Sequence, residues 1–161
     1  MAQTKNVFIS HHHKDDKHVD SLTVLLGESG CNIRNSSIRA KPANQERLDK
    51  GLIKDSTIRR LLRMKMSWAG TVIVLVGKET HKRPWVDWEI NEALQQGKNI
   101  VGVYEEGLVG KVKLPEALED ASTAIVEWDS TSIINAINGI PTFNDPDGSP
   151  SARRDGHHMT C

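Results

Sequence analysis

Glu89 lies in the segment Pro84–Leu94 (PWVDWEINEAL), four residues after Trp85 and directly after Trp88. An apolar ring beside a carboxyl group thins its water shell, which raises its pKa and strengthens its electrostatic interaction with whatever shares the site. Such a carboxylate can stabilise a developing positive charge or hold the hydroxyls of a sugar. Ser10 and His11 end an apolar run, where they either cap the loop or contact a ligand at the strand end. Lys78, Lys82 and Arg83 are the local cations best placed for an anionic ligand, beside the alternative that they are simply solvated. The run His11-His12-His13 invites a metal, but consecutive side chains diverge and no second ligand cluster has suitable spacing, so no metal is expected. Glycine-rich phosphate loops, a Ser-His-Asp order and paired cysteines are all missing from the sequence.

The elements that must position these groups follow from periodicity. Thr71–Gly77 is a continuous apolar run, the mark of a buried strand, and Lys78–Arg83 is a polar loop. Pro84 suits a first helical position, where its missing N–H costs nothing. Val86, Ile90, Ala93 and Leu94 then form the buried face of a helix, with Glu89 on the border of that face and on the same side as Trp85. A purely structural account of Glu89 stands beside the chemical one: it pairs with Arg83, or it simply complements the positive helix N-terminus. The residues alone leave both open.

Upstream, Asn6–Ser10 predicts a strand, and Lys17 onward predicts a helix capped by Asp15 or Asp16, with Val19, Leu22, Leu25 and Leu26 on one face and Gly30 as its stop. Cys31–Ile38 predicts a weak edge strand, and residues 39–54 a long loop with a short helical piece. A further helix opens at Asp55 or Ser56, buries Ile58, Leu61, Leu62, Met66 and Ala69, and stops at Gly70; its basic residues form a solvated face. Asn99–Tyr104 and Thr123–Trp128 predict two more strands, with a short helix around Leu114–Leu118 between them and a last helix, capped by Asp129 or Ser130, after them. Trp68 and Trp128 are assigned to the core or its edge.

This alternation predicts an α/β, flavodoxin-like single domain, a central mostly parallel five-stranded sheet with helices on both faces and strand order 2-1-3-4-5. Its expected bounds are 1–139, with 140–161 a flexible tail. The switch point of that order lies between the first and third strands, where ligands bind at the carboxyl ends. Ser10, His11 and Lys78 fall there, and Glu89 follows directly. Asp15 and Asp16 are like the acidic pair of receiver domains, but Gly77 occupies the phosphoacceptor position, so that chemistry is excluded.

The 161 residues suffice for one full core. Lys plus Arg (21) balances Asp plus Glu (21), so no global field attracts nucleic acid or an anionic membrane. Cys31 and Cys161 belong to no metal or redox pattern, and no signal or membrane-spanning run is present, which predicts a cytoplasmic protein.

Phe8–Ser10 (FIS) before a polar loop, then TVIVLVGKET, PWVDWEINEAL and GKNIVGV, resemble the bacterial TIR-like family that includes the Thoeris antiphage TIR proteins. The match runs from Asn6 to Ala136, and Trp85-x-x-x-Glu89 after VLVGKET is its most specific part. The resemblance implies a TIR-type fold, cleavage of the nicotinamide–ribose bond of NAD, and a cyclic or modified ADP-ribose messenger that activates a separate effector protein. It implies Glu89 as the catalytic residue, NAD as substrate rather than cofactor, a phage-derived trigger, and a homo-oligomer; their positions around Glu89 make Ser10, His11, Lys78 and Trp85 the substrate-binding candidates. Nicotinamide leaves neutral, so one carboxylate suffices, and Trp85 with the Lys78–Arg83 loop would cover the site against water. Two alternatives remain from other classes: a non-catalytic TIR scaffold acting by self-association, and a nucleoside or nucleotide ribosyl transferase on a similar fold.

Overall fold

The computed structural model describes residues 3–12, 16–36, 56–109 and 111–140. Within them the chain runs β1 (Gln3–Ser10), α1 (Asp16–Glu28), β2 (Cys31–Asn35), α2 (Ser56–Ser67), β3 (Thr71–Val76), a 3-10 turn (Thr80–Lys82), α3 (Pro84–Gln95), β4 (Asn99–Tyr104), α4 (Glu116–Ala121), β5 (Ala124–Val126) and α5 (Ser130–Ile137). The strands form one sheet in the order β2-β1-β3-β4-β5, parallel at every pairing. This is the expected flavodoxin-like α/β arrangement. No described helix is long and apolar enough to cross a membrane.

Side chains alternate across a strand, so a strand covered on both faces must be apolar at every position. β3 meets that demand, being buried from Thr71 to Val76. Val72, Val74 and Val76 join Phe8 of β1 on one face, under Leu62 and Met66 of α2, Val86, Ile90 and Ala93 of α3, and Leu118 of α4. Ile73 and Leu75 join Val7 and Ile9 on the other, under Val19, Leu22 and Leu26 of α1 and Ile133 and Ile137 of α5. Two cores thus clamp the sheet, each of the kind in which a buried aliphatic side chain contributes about 1.5–3 kcal/mol. Gly30 closes α1 at φ +86°, a left-handed value that glycine adopts without strain, and Asp129 caps α5 by accepting from the Ser132 N–H.

Several boundaries differ from the sequence expectation for identifiable reasons. β1 begins at Gln3 rather than Asn6, because its polar first residues form the ladder with the edge strand β2, where Gln3 pairs with Cys31. β5 is confined to Ala124–Val126, and α2 ends at Ser67, three residues before Gly70. Leu61 and Leu94, expected in buried faces, are exposed, as is Trp68, expected in the core or at its edge. Leu62 and Met66 of α2, with Ala69 just past its end, already fill the space against the sheet, and Leu61 and the following Trp68 lie off that side. Trp128 packs partly buried against the α1–α5 core. The predicted loop over 39–54 and the tail over 141–161 lie outside the described residues, as does Asp15.

Gly102 of β4 sets how closely α4 approaches the sheet. A Cβ there would stand 2.8 Å from Leu118 Cδ2 and 3.4 Å from Ile125 Cγ2. Gly102→Val is therefore expected to lower stability by about 1–3 kcal/mol through overpacking, measured as a fall in the denaturant midpoint. An unchanged midpoint would contradict this close packing.

Candidate active site

The parallel register of β1 and β3 places Ser10 beside Val74, so the end of β1 lies next to the last turn of β3. The chain leaving β3 is held close to the sheet by Thr80, whose buried hydroxyl accepts from the Gly77 N–H at 2.8 Å and donates to the Leu75 carbonyl at 3.2 Å. The 3-10 turn that follows delivers Pro84 as the first residue of α3. With that start fixed, one helical turn brings Glu89 over the end of β1. Ser10 Oγ donates to Glu89 Oε1 at 2.8 Å, and both groups are buried.

That contact excludes the pairing of Glu89 with Arg83. Arg83 Nη2 donates to Glu79 Oε2 at 2.9 Å and its guanidinium lies over the Trp85 ring, 6.0 Å from the centroid. Arg83 is therefore bound upstream in the loop, and the partner of Glu89 is a neutral hydroxyl. The carboxyl is also more deeply placed than a border position implies, with the residue only 5% exposed. Burial pushes its pKa up from the ordinary 4.5 to about 8, and the Ser10 hydrogen bond opposes that shift. Glu89 is thus mostly protonated at neutral pH and becomes an anion as pH rises through that value or as its surroundings change.

The other expected residues distribute differently. Trp85 is buried on α3, one turn before Glu89 and on its side of the helix. His11 is buried, with its Nδ1 3.1 Å from the Ile9 carbonyl; a carbonyl only accepts, so Nδ1 carries the proton and the ring folds back on its own strand. Lys78 is exposed and lines a cleft of about 360 Å³ beyond the carboxyl ends of β1, β3 and β4. Ser10 and Glu89 therefore meet, Trp85 stands beside them, and Lys78 belongs to the cleft alone.

His12 links the two regions and was not singled out by sequence. Its ring lines the cleft and also stacks on Trp85, with centroids 6.1 Å apart and planes 29° from parallel. Its position two residues beyond Ser10 on an extended chain is a signal that could have found it, because i and i+2 face the same side. Glu105 was also missed. It follows β4 directly, is buried, and faces His18 across the cleft at 3.4 Å, while its backbone N–H continues the ladder to the Val76 carbonyl at 3.0 Å. Only the strand order makes a residue after β4 a neighbour of α1, so no local pattern marks it.

A buried carboxyl that is neutral when folded makes stability depend on pH. Between about pH 4.5 and pH 8 the folded protein keeps a proton that the unfolded chain releases. The contribution is complete below the lower value and is lost as pH rises through the upper one. Thermal melts between about pH 5 and about pH 9 should show a decline on the order of a few kcal/mol attributable to this group. Glu89→Gln, which keeps a side-chain oxygen for Ser10 and cannot ionise, should flatten the decline. Equal pH slopes for the two proteins would contradict the buried neutral state.

Residues 8–109, more than half of the chain, match the family model described as Thoeris protein ThsB, TIR-like domain. No functionally curated protein matches the chain in sequence. Among solved structures, a conserved protein from Enterococcus faecalis V583 is similar at 11% identity and a TM-score of 0.52, over 84% of this chain and 98% of that one, a likeness of fold alone. The CMP N-glycosidase BcmB of Clostridium botulinum is similar at 15% identity and a TM-score of 0.47, over 83% of this chain and 98% of that one.

Proposed function

The chain belongs to the TIR-like family of Thoeris ThsB proteins, and from that membership we propose that it is an NAD-consuming enzyme of antiphage defence, with Glu89 acting on the ribose. The observation that supports this most is the buried Ser10–Glu89 hydrogen bond at the junction of β1 and β3. It sits at the switch point where this topology binds ligands, and it supplies one carboxyl in an environment that a cationic substrate can change.

The chemistry matches one carboxyl. Breaking the ribose C1′–N bond of NAD sends the bonding pair to the pyridinium nitrogen, so nicotinamide leaves neutral and takes no proton. The ribose carbon is left as an oxocarbenium ion, which a carboxylate beside it stabilises. Glu89 is protonated in the closed site, but the positive nicotinamide ring of NAD favours the carboxylate when it comes close. Substrate entry thereby drives the Glu89 proton out to solvent and creates the charge that its own transition state requires. Capture of the cation by water gives ADP-ribose, and capture by a nucleophile of the ADP-ribose itself gives a cyclic product. In either case the nucleophile's proton passes to Glu89.

Ser10 orients the carboxyl, Trp85 shapes its apolar surround, and Lys17 and Lys78, which line the cleft beside Glu79, Glu105 and Glu106, are the groups for the pyrophosphate. His11 is proposed to fix the loop leaving β1 through its bond to Ile9 rather than to act on the reacting atoms. NAD is substrate, and the proposal includes no cofactor or metal. The product would be a cyclic or modified ADP-ribose that reaches an effector protein in the cytoplasm, and a phage-derived trigger would release the activity.

Extracts of phage-infected cells expressing the protein, supplied with NAD and followed for nicotinamide, test the proposal. Wild type should release nicotinamide and Glu89→Gln should lower the rate by about a hundredfold or more, as expected when a group stabilising the transition state is lost. Ser10→Ala removes the hydrogen bond that holds the Glu89 pKa down, and should reduce the rate by roughly tenfold per unit of further rise at neutral pH. Equal rates for wild type and Glu89→Gln would refute the assignment.

A further inference from the structure

Of the six large apolar side chains exposed among the described residues, three sit on α2 or directly after it: Leu61, Met64 at 46% and Trp68 at 58%. Leu61 and Met64 lie off the side that Leu62 and Met66 bury, and Trp68 follows the last residue of the helix with the Lys65 ammonium over its ring at 5.7 Å. The helix is also purely basic. It carries Arg59, Arg60, Arg63 and Lys65 and no acid, and Arg63 is occupied by Glu92 at 2.7 Å. Arg60 stands one turn before Met64 and Lys65 one turn after Leu61, so these two cations flank the apolar pair. Lys98 Nζ reaches the Ser67 carbonyl at 3.3 Å and adds a cation at the Trp68 end.

Shape and chemistry together identify the kind of surface that covers such a face. The described clefts at the two ends of the strands and beside α1 include no residue of α2, which stands out from the sheet as a convex ridge. A rigid protein partner must offer a matching groove, whereas a fluid surface closes around a ridge. Indole and aliphatic groups beside Arg and Lys are the combination that rests at the boundary between acyl chains and charged headgroups. There the ring sits at headgroup level and the cations reach lipid phosphates on their alkyl stems. A nucleic-acid backbone would satisfy the cations but leave Leu61, Met64 and Trp68 facing water.

We infer that the α2 face docks the protein reversibly on an anionic lipid surface, with Leu61, Met64 and Trp68 entering the headgroup layer and Arg60, Lys65 and Lys98 on lipid phosphates. The charges of the whole chain cancel, so the attraction is local and acts only within about a Debye length of the surface. A few cations and a few apolar side chains make a weak attachment, which lies on the membrane and does not cross it. The helices run alongside the strands they cover, so α2 lying flat on lipid sets the sheet roughly parallel to the surface. The cleft beyond the strand ends then opens sideways, clear of the headgroups. The inference stands independently of any reaction at Glu89.

Co-sedimentation of the purified full chain with vesicles tests it. Vesicles of equal parts phosphatidylglycerol and phosphatidylethanolamine should bind wild type about tenfold or more better than phosphatidylcholine vesicles do. That difference should vanish in ~1 M salt, where the screening length falls to about 3 Å. Arg60→Glu with Lys65→Glu should weaken binding to the anionic vesicles by about tenfold or more, and Trp68→Ser by roughly tenfold. Both variants should keep the wild-type circular dichroism, because Arg60 and Trp68 are exposed and no core side chain changes. Val24→Ser, which removes an exposed apolar side chain on the other side of the sheet, should bind as wild type does. Wild type that stays in the supernatant beside anionic vesicles would overturn the inference, and its capture by soluble polyglutamate would then assign the face to an acidic polypeptide. Trp68→Ser that binds as tightly as wild type would overturn it too, since charge alone would explain the attachment.

Discussion

The site depends on one hydrogen bond between distant parts of the chain, Ser10 Oγ to Glu89 Oε1. It forms only if β1 and β3 are parallel neighbours in register and α3 starts at Pro84, because one residue of slip would turn Ser10 to the other face of the sheet. The apolar cores enforce that register. Phe8 and Val7 alternate into opposite cores, and the same alternation directs Ser10 toward α3. A buried carboxyl without a partner would be costly, and with a charged partner it would be locked as an anion. A single hydroxyl leaves it poised between these states.

Much of the fold was legible because hydrophobic period and turn chemistry agree along the chain. The unbroken apolar run of β3, the Pro84 start of α3, the Gly30 stop and the Asp129 cap each have a local physical cause and each appears where expected. The failures came where tertiary context decides. Leu61, Leu94 and Trp68 have the character of core residues, yet the space against the sheet is filled by their neighbours. Ser10 and Glu89 were each identified separately, but their contact crosses 79 positions and follows only from strand order. His12 was within reach of the i, i+2 alternation beyond Ser10, whereas Glu105 becomes a wall of the cleft only through strand order, which no local spacing encodes.

The two ends of the molecule's chemistry are separated. The Glu89 carboxyl lies on the α2–α3 side of the sheet, whereas the charged cleft lies at the strand ends and reaches α1 through His18. His12, lining the cleft and stacked on Trp85, is the physical link between them.

The most direct test of a buried, neutral, substrate-responsive Glu89 is a carbon-13 NMR titration of its side-chain carboxyl, with and without NAD. The account predicts a titration near 8 in the free protein that moves toward lower pH when NAD is added. A carboxyl that titrates near the ordinary 4.5 and does not respond to NAD would contradict it.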